Sequence, residues 1–152
     1  MNHYSIYWIK EEFAHHFFHN SEVLYRFIKE YQMNKNREDL ERQYEYITLD
    51  FPKSSLISHI TNNHPNNSNM KVEGDRLKIY KDIQYISLHI QKKKINFRSE
   101  MIHDAEELLF PALRLFQPYL FIVGNDLRNY GWISPVIQGK KNKTGQVLYS
   151  YL

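Results

Sequence analysis

Ile83-Gln84-Tyr85-Ile86-Ser87-Leu88-His89-Ile90-Gln91-Lys92-Lys93-Lys94-Ile95-Asn96-Phe97-Arg98 decides the fold class. Ile86, Leu88 and Ile90 alternate with Ser87 and His89, the period of two expected of a strand with one buried face. The spacing predicts a strand from Ile83 to Ile90. Gln91-Lys92-Lys93 is a polar turn, and Lys94 to Arg98 returns as the second arm of a hairpin.

Towards the N-terminus the period changes. His3 to Ile9 is β-branched and aromatic and reads as a strand. Lys10 to Phe18 reads as a helix with Phe13, Ala14, Phe17 and Phe18 on one face. Asn20 or Ser21 caps a second helix, Glu22 to Met33, with an inward stripe of Val23, Leu24, Phe27, Ile28 and Tyr31. A third runs from Glu38 to Leu49 with Leu40, Tyr44 and Ile47 inward, and Pro52 ends it. A short helical piece covers Ser55 to Ile60. Residues 61–69, Thr-Asn-Asn-His-Pro-Asn-Asn-Ser-Asn, read as a loop within one domain. Leu77, Ile79 and Tyr80 mark a weak strand or turn.

Towards the C-terminus a helix is expected from His103 to Phe116. Asp104, Glu106 and Glu107 sit near its N-terminal end, where the helix dipole favours acids. Pro111 predicts a kink or a break, and Pro118 stops the helix. Tyr119 to Val123 reads as a buried strand. A further short strand, Tyr130 to Ile133, follows the Gly124-Asn125-Asp126 turn. The expected order is β-α-α-α-β-β-α-β-β, an α+β domain over residues 1–138 with helices packed on a mainly antiparallel sheet. Residues 139–152 read as a loose basic tail.

The chain has 152 residues, 42% hydrophobic and 24% charged, as an ordinary globular domain has. No apolar stretch approaches the roughly 18 to 20 residues that span a bilayer. Met1 to Ile6 lacks the basic region and apolar core of a signal peptide, so a cytoplasmic protein is expected. Cysteine is absent, which excludes disulfides, thiol nucleophiles and Cys-based zinc sites. Net charge is +3, only mildly basic. The unusual feature is aromatic content: 15%, with 12 Tyr and 9 Phe.

The patterns of catalysis fail in turn. The five glycines form no phosphate cradle. There is no Gly-x-Ser-x-Gly elbow. Glu11-Glu12 and Glu106-Glu107 are adjacent on helices and point about 100° apart, so neither makes a close acid–base pair. His15 and His19 are one helical turn apart, but a third metal ligand is missing. No catalytic residue, metal or cofactor is expected. Lys92-Lys93-Lys94 suits a hairpin turn and Lys140 to Lys143 a tail. Tyr85 and Phe97 could imitate a base-stacking sheet, but neither lysine run is interleaved with aromatics, so no direct nucleic-acid partner is expected.

The aromatics remain to be placed. Phe13 and Phe17 form one i, i+4 pair, and Ala14 and Phe18 a second about 100° round. Either both are buried or one faces out. On the third helix Gln43 and Tyr46 lie on a face flanking the core stripe. A Tyr beside a Gln at such an edge suits a partner contact, its ring apolar and its hydroxyl wet. The segment from His3 to Phe18, with its Lys10-Glu11-Glu12-Phe13-Ala14 block, resembles the SirA family, the sporulation inhibitors of replication of spore-forming bacilli. The resemblance continues to Tyr31, reappears at Arg42-Gln43-Tyr44-Glu45-Tyr46-Ile47, and is strong at Tyr130-Gly131-Trp132-Ile133-Ser134-Pro135-Val136. From Phe51 to Leu108 it holds only in pattern.

That resemblance implies an inhibitor without enzymatic activity that binds the N-terminal domain of the replication initiator DnaA. Its contact positions map onto Phe13, Phe17, Gln43 and Tyr46. The family often has Tyr where Phe17 stands, so one hydroxyl is lost while the ring is kept. The rival reading is a nucleic-acid-binding module acting at the origin.

Overall fold

A computed structural model describes residues 1–125 and 128–135. Its elements are β1 (Asn2–Ile9), α1 (Glu11–Phe18), α2 (Ser21–Met33), α3 (Glu38–Ile47), β2 (Thr48–Leu49), α4 (Lys53–Asn63), β3 (Asn69–Glu73), β4 (Arg76–Lys81), β5 (Gln84–Ile90), β6 (Ile95–Ser99), α5 (Ile102–Leu108), α6 (Phe110–Phe116), β7 (Leu120–Gly124) and β8 (Tyr130–Trp132). Among the described residues the strands form one antiparallel sheet in the order β3-β4-β5-β6-β1-β7-β8, with β2 against β1. The expected α+β class, with helices on an antiparallel sheet, is the class observed.

Successive side chains of β1 serve opposite faces, as the pleat requires. Tyr4 and Ile6 join Leu88, Phe97 and Ile122 beneath Leu56, Leu108 and Phe110 of α4, α5 and α6. Tyr7 and Ile9 join Phe121 and Trp132 beneath α1, α2 and α3. The sheet is therefore covered on both faces, with α1–α3 confined to the end formed by β1, β7 and β8.

Trp132 is fully buried, and its Nε1–H donates to Ser21 Oγ at 3.2 Å. That bond satisfies the one polar atom of an otherwise apolar ring. Ser21 therefore does not cap α2; its hydroxyl lies 3.2 Å from the Phe17 and Phe18 carbonyls at the end of α1, and Asn20, at the N-cap position of α2, makes no side-chain cap bond. Gly131 pairs in register with Ile122, so β8 carries no bulge.

Several boundaries differ from expectation for identifiable reasons. The third helix stops at Ile47, because Thr48 and Leu49 pair with Ile9 and Trp8 of β1. Val23 is 53% exposed, and Tyr25 takes its place inside, stacked on Tyr130 at 4.5 Å. The piece expected over 55–60 is the longer α4, which takes up Thr61 to Asn63 from the Asn-rich stretch; Asn63 Nδ2 donates to the His59 carbonyl at 2.7 Å. The loop shrinks to 64–68.

β3 has no sequence signature, because as an edge strand it buries almost nothing. Gly74, at φ 63, and Asp75 turn it into β4. Ile83 is not a strand residue. It is 98% exposed beside Asp82 (φ 55) in the turn between β4 and β5. Pro111 does break the helix, and Pro near the start of α6 meets no clash there. Arg114 spans the break with two bonds to Glu106, 2.9 and 2.7 Å. The basic tail expected over 139–152 lies outside the described residues.

A cluster of tyrosines fixes α2 and α3 to the sheet. Tyr44 is buried, stacks on Tyr31 at 4.2 Å and meets Tyr7 edge-on at 5.9 Å. Its hydroxyl donates to the Lys93 carbonyl at 2.8 Å. Burial raises the pKa values of Tyr7, Tyr31 and Tyr44 above the ordinary tyrosine value. A raised native pKa contributes stability that is whole below the unfolded value, about 10, and lost as pH climbs above it. Urea midpoints are therefore expected to hold to about pH 10 and fall steeply beyond it, and Tyr44→Phe should flatten that fall. An unchanged slope in the variant would separate Tyr44 from the effect. Trp132→Ala should cost about 3–5 kcal/mol in the same assay at neutral pH.

Candidate partner-binding surface

α1 resolves the choice its sequence left open. Ala14 and Phe18 are buried against the sheet, whereas Phe13 and Phe17 are only half-buried at the rim of that core. α3 divides likewise: Leu40, Tyr44 and Ile47 point inward, and Gln43 and Tyr46 point out. The backbone N–H of Lys10 donates to the Ile47 carbonyl at 2.9 Å, tying the start of α1 to the end of α3.

That tie brings Phe13 and Tyr46 together. Their rings meet edge-to-face, centroids 5.2 Å apart and planes at 62°. Lys10 Nζ lies 5.2 Å from the Tyr46 ring centre, within range of a cation–π contact. Tyr46 is nonetheless 67% exposed. Phe17, one turn along α1, sits against the His16 ring at 5.0 Å. Gln43 lies one turn back along α3 and is exposed. Among the described residues no hydrogen bond or ring contact joins Gln43 to either phenylalanine. The four expected site residues thus form a central touching pair flanked by one residue on each helix.

The sequence did not place Lys10, Lys92 or Lys93 at this surface. Lys93 Nζ lies 3.0 Å from Glu45 and Lys92 Nζ 3.7 Å from Asp50. Lys10, Glu45, Leu49, Asp50 and Lys92 line a shallow pocket of about 450 Å³ beside Tyr46. The β1–β2 pairing and the bond from the Phe51 N–H to the Lys92 carbonyl, 2.7 Å, bring these residues together from distant parts of the chain, so no local spacing announces them. His15 faces Tyr119, with ring centres 5.7 Å apart, and lies 3.9 Å from Glu11. Among the described residues no three His, Asp or Glu side chains gather as a metal ion would need.

The two central rings should respond differently to truncation. Tyr46→Ala is expected to change unfolding free energy by no more than about 0.5 kcal/mol, as for an exposed side chain. Phe13→Ala should cost about 2 kcal/mol, a discount for half burial on the roughly 3–5 of a fully buried ring. A loss of about 2 kcal/mol or more for both on chemical denaturation would place both rings in the core.

The model of the family described as sporulation inhibitor of replication protein SirA matches residues 2–137. The sporulation inhibitor of replication protein SirA of Bacillus subtilis (strain 168) is 25% identical over 139 residues, covering 88% of this chain and 94% of that relative. Among the described residues, no helix is long and apolar enough to cross a membrane. With a family match running through both aromatic helices and the Tyr130-Gly131-Trp132 strand, the chain belongs to the SirA family, whose name denotes inhibitors of replication in sporulation.

Proposed function

We propose that this protein acts in the cytoplasm as a non-enzymatic inhibitor of replication initiation during sporulation. It binds the N-terminal domain of DnaA through Phe13, Phe17, Gln43 and Tyr46 and so keeps DnaA from acting at the origin. The observation that carries the reading is Tyr46, mostly exposed yet in contact with both the Phe13 ring and the Lys10 ammonium. An aromatic fixed before binding loses little rotamer entropy on association, which suits an interface anchor. The half-buried Phe17 and the exposed Gln43 extend the contact along both helices. The salt-bridged strip of Glu45, Lys93, Asp50 and Lys92 supplies a polar rim. A typical interface would bury about 800 Å² on each partner.

The test is calorimetric titration of the chain into the isolated N-terminal domain of DnaA from the same organism. Wild type is expected to saturate. Tyr46→Ala should weaken binding by tenfold or more, about 1.4 kcal/mol, with its circular dichroism melt unchanged. Phe17→Ala should weaken binding as well. A folded wild type that gives no heat would end the DnaA reading; full affinity in folded Tyr46→Ala would move the surface elsewhere.

A further inference from the structure

The sheet is wider than the helices that lie on it. On the face packed by α1, α2 and α3, the buried residues of the sheet come from β1, β7 and β8. β4, β5 and β6 present to that face Arg76, Lys78 and Tyr80; Tyr85, Ser87 and His89; and Asn96 and Arg98, all exposed or half-buried. Their neighbours Leu77, Ile79, Ile86, Leu88, Ile90, Ile95 and Phe97 are buried on the other side.

Register aligns the open residues into rows. Lys71, Lys78, Ser87, Arg98 and His3 follow one another across β3, β4, β5, β6 and β1. At about 4.8 Å per strand that row is about 19 Å long. Beside it run Glu73, Arg76, His89, Asn96 and Ser5, the one acid at the β3 edge being the partner of Lys71, and at the far side Tyr80 stands opposite Tyr85.

The charges on this face are unevenly matched. Lys71 pairs with Glu73 at 3.2 Å, and His89 with Asp75 at 3.3 Å. Arg76, Lys78, Lys94 and Arg98 have neither a carboxylate nor a hydrogen-bond partner among the described residues. The three neighbouring lysines of the hairpin turn therefore separate: Lys92 and Lys93 pair on the α3 side, while Lys94 turns to this face. Lys94 is half-buried, and burial, with Lys35 nearby, lowers its pKa. A cleft of about 300 Å³ is lined by His3, Arg76, His89, Lys94, Asn96 and Arg98. Asn96 is held in place, its Oδ1 2.8 Å from Ser5 Oγ and its Nδ2 donating to Gln91 Oε1 at 3.2 Å.

We propose that this open face binds single-stranded nucleic acid, with phosphates on Arg76, Lys78, Lys94 and Arg98 and bases against Tyr80 and Tyr85. The row is too long for one phosphate and fits a linear polyanion. The two tyrosines, Tyr80 being 40% exposed, provide π-faces of the kind that make single-strand platforms tolerant of sequence. β4, β5 and β6 present no aliphatic side chain on this face, which disfavours a lipid surface. The expectation of no nucleic-acid partner rested on the two lysine runs, which carry no aromatics among them. Phe97, the ring that suggested stacking, is 1% exposed and packs on Tyr4 at 4.9 Å. Tyr80, which shares its face of β4 with Arg76 and Lys78, takes its place opposite Tyr85.

The test is fluorescence anisotropy of the full chain with a labelled 15-nucleotide single strand of mixed sequence over a salt series. Its duplex, heparin and polyglutamate serve as competitors. The single strand is expected to bind best. Arg76→Ala with Arg98→Ala should cut affinity at least tenfold and make the salt dependence shallower by about 0.7 log units for each lost phosphate contact. Tyr80→Ala should weaken binding about fivefold or more with the salt slope unchanged. Arg26→Ala, an exposed cation paired with Glu22 on α2, should change nothing. No binding by folded wild type at low salt would overturn the proposal. So would polyglutamate, heparin or the duplex competing as well as the single strand does, or an unchanged affinity in both the arginine and the Tyr80 variants. Tyr46→Ala should bind the single strand normally, and the double arginine variant should still bind the DnaA domain, so either reading can fail alone.

Discussion

The double burial of β1 is the constraint on which the rest depends. Its two edges are taken by β6 and β2 on one side and β7 on the other, and both its faces are covered. Tyr4 and Ile6 anchor one core, and Tyr7 and Ile9 the other. A one-residue slip of this strand would exchange the two sets of side chains, so its register is strongly specified. β1 also sets α1: the chain leaves Ile9, turns at Lys10 and bonds back to Ile47. The juxtaposition of α1 with α3 follows from that turn.

The high aromatic content has two uses, divided by how much of each ring the helices need. Tyr7, Tyr31 and Tyr44 form a packed cluster whose hydroxyls are partly satisfied by Gln32 and the Lys93 carbonyl. Phe18, Phe121 and Trp132 fill the space below α1. Phe13 and Tyr46 are left at the boundary, near enough to hold each other and too far out to be covered. A ring in that position is stabilised by the fold and remains available to a partner, as an anchor residue requires.

The Lys10–Tyr46 surface and the basic sheet face lie on the same side of the sheet, separated by the hairpin turn of residues 91–94. Lys92 and Lys93 brace the helical side, and Lys94 faces the other way. One short polar turn thus borders a neutralised strip and an uncompensated cationic cleft. Charge totals conceal this arrangement, because a net +3 is distributed so that carboxylates meet cations at one surface and are scarce at the next.

By itself the sequence determined the α+β class, the β5–β6 hairpin, the inward seam of α3 and the irregularity at Pro111, a kink or a break. These follow from local periodicity and from the backbone limits of proline, which act over a few residues. The block from His3 to Phe18, with Gln43, Tyr46 and the Tyr130-Gly131-Trp132 strand, also carried the family likeness. Only the tertiary structure decided which of the two apolar pairs of α1 faces out, because the smaller pair, Ala14 and Phe18, is the one the sheet has room to bury. It alone revealed β3 and β2, which have too few buried side chains to leave an alternating pattern. It alone brought Lys10 to Tyr46 and gathered Arg76, Lys94 and Arg98, since strand pairing joins residues that spacing along the chain does not relate.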